Sequence, residues 1–292
     1  MKTNTMEVAA PRKIKTNVGL EIFKYTTVLI TVVFILFPIV YAFFGSFKSM
    51  EEFLLGGLSL IPKKWVFQNY VDAFKLARFG TYTWNSVLFA VLSVFGVLVT
   101  CSMVGYLLSR RNFWGRKLML AAFAASLFLT GAVTIYPVFI LCKNLGLINT
   151  IAGMVIVQVA WDQALYSVLI MGYCEDISKS IDESARIDGC GVFRIYWNIM
   201  LPIIKPILAT VALLEFRAAW NAYMLPLAFT LGNFNLRTLA VGVVAMRDTG
   251  EGVSAWNLMI AGSVISLIPI LILYIMMNKF FISGLTQGAV KE

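Results

Sequence analysis

SKSIDESARIDGCGVFRIYWNIMLPIIKP, Ser178–Pro206, is a polar stretch set between two long apolar runs. Ser180 and Glu183 have capping-box spacing, which predicts a helix from Ile181. Ser184 and Ala185 are small enough to let another surface approach closely. Asp188-Gly189 predicts the stop, because glycine takes the left-handed conformation that closes a helix. A second helix is expected after Gly191, with Phe193, Trp197 and Met200 on one face at i, i+4, i+7. Leu201-Pro202 then breaks or kinks the chain before the next apolar run. Two short, sharply angled helices lying outside the hydrocarbon are the expectation.

The flanking runs place that loop beside a membrane. A crossing helix needs about 20 apolar residues. Six windows qualify, at Tyr25–Phe47, Asn85–Ser109, Leu118–Leu141, Thr150–Tyr173, Pro206–Leu231 and Trp256–Asn278. The predicted fold is therefore an all-α integral membrane protein of six transmembrane helices. The first run is too long for a secretory h-region and no A-x-A site follows it, so it is expected to stay as an anchor. Between the first two runs, Gly56-Gly57 and Ile61-Pro62 signal turns and Phe67–Ala77 suggests a short surface helix.

Orientation follows from lysine and arginine. With the N-terminus inside, 15 basic residues fall on the inner side and 8 on the outer, although 5 of those 8 crowd the first outer segment. Both termini, and the Ser178–Pro206 loop, are therefore predicted to be cytosolic.

Composition supports lipid as the solvent. Hydrophobic residues make up 60% of the 292 and charged residues only 13%, against about 25% charged in soluble domains. The net charge of +9 sits at the ends of apolar runs rather than among aromatics on a polar face, so nucleic acid is not the expected partner. The absence of histidine excludes histidine-based triads and histidine metal ligation. The four cysteines, Cys101, Cys142, Cys174 and Cys190, are too scattered for a zinc or disulfide framework. No G-x-x-x-x-G-K-[ST] loop is present, so the chain is not expected to hydrolyse ATP.

Polar residues within the runs form a second set of candidates. Gln158, Asp162 and Tyr166 make an i, i+4, i+8 stripe, and Arg217 and Asn221 are one turn apart with Trp220 beside them. Glu215 joins them in the fifth run. A charge at the bilayer centre costs about 2.5–3.5 kcal/mol on insertion scales, so such residues face a bundle interior or a wet cavity. Three readings are open: a structural Asp162–Arg217 pair, a polar and aromatic lining for a sugar, and a proton relay in an ion-coupled secondary transporter. Pro38, Pro137, Pro202, Pro206, Pro226 and Pro269 are expected at kinks or hinges.

The order of residues narrows these readings. Glu183-Ser184-Ala185-x-x-Asp188-Gly189, followed by Ile199-x-Leu201-Pro202, resembles the signature loop of permease subunits of ATP-binding cassette importers, with Ser184 and Cys190 in place of the usual alanines. Phe67-Gln68-Asn69-Tyr70, Trp220-Asn221-x-x-x-Leu225-Pro226-Leu227 and the tail Phe280–Lys291 are similar to segments of the maltose-type carbohydrate permeases. The resemblance covers most of the chain after Asn69. It implies a division into 1–80 (tail, first helix, outer segment), 81–280 (five helices with a coupling loop at about 175–205) and 281–292 (cytosolic tail).

It also implies a multi-pass subunit of the cell membrane, and partners: two ATPase subunits carrying ATP and Mg, a second permease, an extracytoplasmic solute-binding protein and the lipid bilayer. This chain itself would bind no cofactor. Carried over by position, Asp182, Glu183, Ser184, Ala185, Arg186, Asp188, Gly189 and Phe193 would contact an ATPase, as would Gln287 and Lys291 of the tail. Gln158, Asp162, Tyr166, Arg217, Trp220 and Asn221 are the candidates for a substrate path.

Overall fold

The computed structural model describes residues 18–55, 59–76, 78–129, 131–247 and 255–289. Among them every regular element is helical. The order is α1 (Val18–Gly45), α2 (Met50–Leu55), α3 (Gln68–Leu76), α4 (Phe79–Arg110), α5 (Arg116–Ser126), α6 (Gly131–Asn144) and α7 (Ile151–Glu175). Then come α8 (Ser180–Ile187), α9 (Val192–Ile203), α10 (Lys205–Asn221), α11 (Met224–Phe229), a 3-10 turn at Phe234–Leu236, α12 (Leu239–Ala245) and α13 (Trp256–Ala289).

Three of these, Glu21–Gly45 of α1 with α4 and α7, are single helices long and apolar enough to cross a membrane. The third and fifth windows differ from expectation: each is broken. Leu118–Leu141 is divided between α5 and α6 around Leu127–Leu129, and Pro206–Leu231 between α10 and α11 at Ala222, whose extended backbone ends α10. If α5 with α6, and α9 with α10, each count as one bent span, the total is five.

The centre is the α4–α7 pair, against which α10 packs. Lipid supplies no hydrophobic drive between helices, so close packing must hold them. Gly96 and Gly105 permit it. A Cβ on Gly96 would lie 2.8 Å from Val159, and one on Gly105 would lie 2.9 Å from both Ile170 and the Ser167 carbonyl. Val97, Cys101, Tyr166 and Ile170 fill the seam and continue into Ile195, Met200, Ile204 and Val211. α13 lies across α10, where Trp220 Nε1 donates to the Ser266 carbonyl (3.3 Å). α1 meets chiefly α13 and leaves most of its apolar surface exposed.

The two ends of α4 are built differently. At the Phe79 end, Asn85 Nδ2 donates to the Asn235 and Arg237 carbonyls (2.7 and 3.0 Å), and Ser86 Oγ accepts the Leu239 N–H (2.7 Å). Near that end α3 forms as expected, and its buried Asn69 donates to the Ser46 and Lys48 carbonyls (2.8 Å each). The Gly56-Gly57 turn and Ala77 lie outside the described residues. At the Arg110 end sit α8 and α9.

Candidate functional site

α8 forms where the sequence places it, but its start is built otherwise. The helix begins at Ser180, and its side chain does not cap the Glu183 N–H, which bonds instead to the Lys179 carbonyl (3.1 Å). Ser178 Oγ takes the Ser180 N–H (3.3 Å) and pairs with the Ser180 hydroxyl (2.8 Å). The stop is as expected. Gly189 has φ of +80°, its N–H bonds to the Arg186 carbonyl (3.0 Å), and the Cys190 N–H bonds to the Ala185 carbonyl (2.9 Å). Those two bonds are a Schellman closure.

The next helix departs from its expected register. Tyr196–Met200 is a π turn, with the Leu201 N–H bonded to the Tyr196 carbonyl. Its extra residue shifts every later side chain around the axis. Phe193 and Trp197 are exposed, Ile195 and Tyr196 are buried, and Met200 and Ile204 after the shift are buried too; Phe193, Trp197 and Met200 do not share a face. Nor does the chain bend at Leu201-Pro202. Pro202 lies in the last turn of α9, and the 76° bend comes at Ile204, with Pro206 opening α10.

The expected contact residues divide into two sets. Glu183, Ser184, Arg186, Asp188, Gly189 and Phe193 lie on an exposed face with Ile187, which is 87% exposed. Asp182 and Ala185 point the other way, at 3% and 5% exposure. The Asp182 carboxylate is held within the chain: Tyr106 donates its hydroxyl proton to Oδ1 (2.8 Å), and Arg110 Nε lies 3.1 Å from Oδ2, off the hydrogen-bonding line. Arg110 Nη2 also donates to the Ile177 carbonyl (2.8 Å). As an outward contact of this helix, Asp182 is therefore corrected to an inward one. Sequence reasoning missed Tyr106 and treated Arg110 only as a topology charge; the available signal was their i, i+4 spacing at a helix end. Gln287 falls in the last turns of α13, where no side chain is described, and Lys291 lies outside the described residues.

The intramembrane candidates separate as well. Gln158, Asp162 and Tyr166 share the α7 face turned to the bundle, and Gln158 Nε2 donates to Asp162 Oδ2 (2.7 Å). The Asp162–Arg217 pair, one of the three open readings, does not form among the described residues. Asp162 neighbours Glu215, a wholly buried carboxyl on α10, while Arg217, two residues on, projects from the exposed side. Asn221 donates to the Arg217 carbonyl (2.9 Å), and Trp220 is packed on Phe216 and α13. Beside the stripe lies a polar chain the sequence reading did not single out: Thr100 Oγ1 donates to Gln163 Oε1 (2.8 Å), and Gln163 Nε2 donates to Ser167 Oγ (3.0 Å). No group of His, Cys, Asp and Glu suited to a metal occurs among the described residues.

Comparison with known proteins places this geometry. Residues 101–281 match the family described as binding-protein-dependent transport system inner membrane component. The probable ABC transporter permease protein YurM of Bacillus subtilis is 32% identical over 257 residues, 88% of this chain and 84% of that one. The trehalose/maltose transport system permease protein MalG of Thermococcus litoralis is 32% identical over 88% of this chain and 91% of its own. The arabinooligosaccharides transport system permease protein AraQ of Halalkalibacterium halodurans is also 32% identical, over 87% and 91%. Among solved structures, a bacterial ABC transporter involved in the import of the acidic polysaccharide alginate superposes with a TM-score of 0.77 at 24% identity, covering 93% of this chain and all of that one. That likeness speaks to the fold.

Proposed function

The chain belongs to the family of binding-protein-dependent transport system inner membrane components, and on that premise we propose that it conducts a carbohydrate across the cell membrane as a permease subunit of an ATP-binding cassette importer. It is a multi-pass membrane subunit and a transport component rather than an enzyme. Its partners are an ATPase and a solute-binding protein; pairing with a second, different permease belongs to the proposal. The division into 1–80, 81–280 and 281–292 is retained, as are six spans and cytosolic termini. ATP and Mg sit on the ATPase subunits, and this chain binds no cofactor.

The observation that carries the reading is the exposed face of α8. Glu183, Ser184, Arg186, Asp188 and Gly189 project from a short helix closed by a Schellman turn and seated on α4. Such a helix can be received in a cleft. ATP shifts a two-state membrane bundle only if its binding energy reaches the bundle through a rigid contact. The carbohydrate reading is supported by the relatives named for maltose, trehalose and arabinooligosaccharides. Gln158, Asp162 and Tyr166 offer amide, carboxyl and phenol groups that suit hydroxyl-rich ligands. Ion-coupled transport is not favoured, because the relatives are ABC permeases.

The test is uptake into membrane vesicles of radiolabelled maltose, trehalose and arabinotriose, with the cognate binding protein present. Accumulation of at least one sugar that requires ATP and survives collapse of proton and sodium gradients is expected. Gradient-driven uptake without a co-purifying ATPase would overturn the reading.

A further inference from the structure

The inward side of α8 has a construction that docking does not explain. Arg110 and Asp182 are the most deeply buried ion pair among the described residues, with side chains 2% and 4% exposed. Salt bridges of this burial are seldom worth their desolvation as simple glue, since apolar residues of similar volume hold a fold as well. The pair is also not local. It joins residues 72 positions apart, linking a helix outside the hydrocarbon to the last turn of α4, the central helix of the bundle.

The contacts around the pair are arranged as a bracket. Tyr106, one turn before Arg110, donates to Asp182 Oδ1 (2.8 Å), and its ring lies 5.5 Å from that of Tyr196. The Tyr196 hydroxyl meets Ser102 Oγ (2.7 Å), one turn further into α4. Arg110 Nη2 holds the Ile177 carbonyl in the link between α7 and α8 (2.8 Å). Three successive turns of α4, at Ser102, Tyr106 and Arg110, thus grip α8, α9 and the link before them. By contrast, the outward side of α8 makes none of these contacts.

We infer that the Tyr106–Arg110–Asp182 cluster is the tie through which displacement of α8 is delivered to α4, so that the two helices move as one body. An apolar contact would let α8 slide or roll over α4 at little cost, because dispersion is non-directional. The Tyr106–Asp182 and Arg110–Ile177 hydrogen bonds are directional, and pulling Asp182 from Arg110 leaves an unpaired charge in a poorly solvated place. Tyr106, Arg110 and Asp182 are positioning residues in this scheme, and none touches a substrate. The inference rests on the reading of α8 as the ATPase contact.

The experiment uses the assembled importer in lipid nanodiscs. Spin labels are placed at Trp84→Cys and Ser180→Cys in a Cys190→Ser background. Trp84 and Ser180 are exposed, and 26 residues of α4 separate Trp84 from Arg110, roughly 39 Å at 1.5 Å rise per residue. Double electron–electron resonance reads the Trp84–Ser180 distance without nucleotide and after trapping with Mg-ATP and vanadate. With the native cluster the distance is expected to be the same in both states.

Asp182→Asn and Arg110→Gln are then compared singly and together. The single variants strand a buried group and are expected to melt earlier; the double variant, neutral at both positions, is expected to recover melting temperature. In the double variant the trapped state should show a distance change beyond the ~1–2 Å of an ordinary helix shift. A distance that stays constant in the double variant would assign the cluster to folding alone and overturn the inference. So would a distance that already changes in the native complex.

The docking reading is tested apart from this, by Glu183→Lys. Undiminished retention of the ATPase in that variant removes the docking face, whatever the spin-label distances show.

Discussion

At the scale of single residues, the molecule separates positions whose role is local from positions whose role depends on a distant partner. Gly189 is local. Its φ of +80° is what a Schellman stop demands, and a Cβ built there meets nothing within 4 Å. Replacing it by valine strains the turn by about 1–2 kcal/mol without a clash inside this chain. Gly189→Val is therefore expected to lower the melting temperature only slightly, yet to depress transport per ATP hydrolysed severely if α8 is received in a cleft; both are read on the reconstituted importer. Gly105 is the opposite case. Its missing Cβ is what lets α4 reach within van der Waals contact of Ile170 and the Ser167 carbonyl. Gly105→Ala should destabilise by about 1–3 kcal/mol through overpacking, whereas Gly172→Ala, with open space around it, should not. Thermal unfolding in one detergent distinguishes the two. The stop at Gly189 was readable in the sequence because a left-handed glycine is fixed by its immediate neighbours. The inward turn of Asp182 was not, because its partner Arg110 is 72 positions away and nothing in the periodicity joins them. The same reason defeats the Asp162–Arg217 pairing: both residues are legible as intramembrane charges, but only the packing of α7 on α10 shows that Glu215, not Arg217, is turned toward Asp162.

At the scale of elements, the apolar windows gave position well and continuity poorly. The α4 and α7 helices were legible because each is one unbroken run of 25 residues or more. The break between α5 and α6 lies at positions 127–130, directly before Gly131; Leu127, Phe128 and Leu129 keep the window apolar, so hydropathy passes across it. Similarly, the π turn at Tyr196–Met200 carries no composition signal, and it turns Met200 inward, away from the exposed face that Phe193 and Trp197 share. That rotation gives a prediction opposite to the i, i+4 reading. Met200→Ala, at a site with no exposure, should cost about 2–5 kcal/mol of stability by leaving a cavity. Trp197→Ala, at 58% exposure, should leave the unfolding midpoint of the isolated permease nearly unchanged and act, if anywhere, on retention of the ATPase. Equal destabilisation by both would mean that the helix keeps a regular α register.

At the scale of the whole molecule, α4 fixes which loops share a side. Its Arg110 end carries α8, through Asp182, and the loop with Trp114, which is 99% exposed. Its Phe79 end carries the 3-10 turn, through Asn85 and Asn235. A spanning α4, 32 residues long, puts these two groups on opposite faces of the membrane. Helix packing alone does not say which face is the cytosol; the proposed orientation puts the α8 end there. Arg110, Arg111, Arg116 and Lys117 cluster at that end, as the positive-inside rule asks of a cytosolic side, against Lys63, Lys64, Lys75 and Arg78 before the other. Single cysteines at Trp114, Ile187 and Asn235, in a Cys190→Ser background, convert this into a measurement with a membrane-impermeant maleimide. Trp114→Cys and Ile187→Cys should label together in inverted vesicles and resist label in right-side-out ones, and Asn235→Cys should do the reverse. Labelling of Ile187→Cys should also fall when the ATPase subunits are bound, because that exposed face is the one proposed to be covered. If Ile187 and Asn235 labelled from the same side, α4 could not be a crossing helix, and the docking face would lose its place in the cytosol.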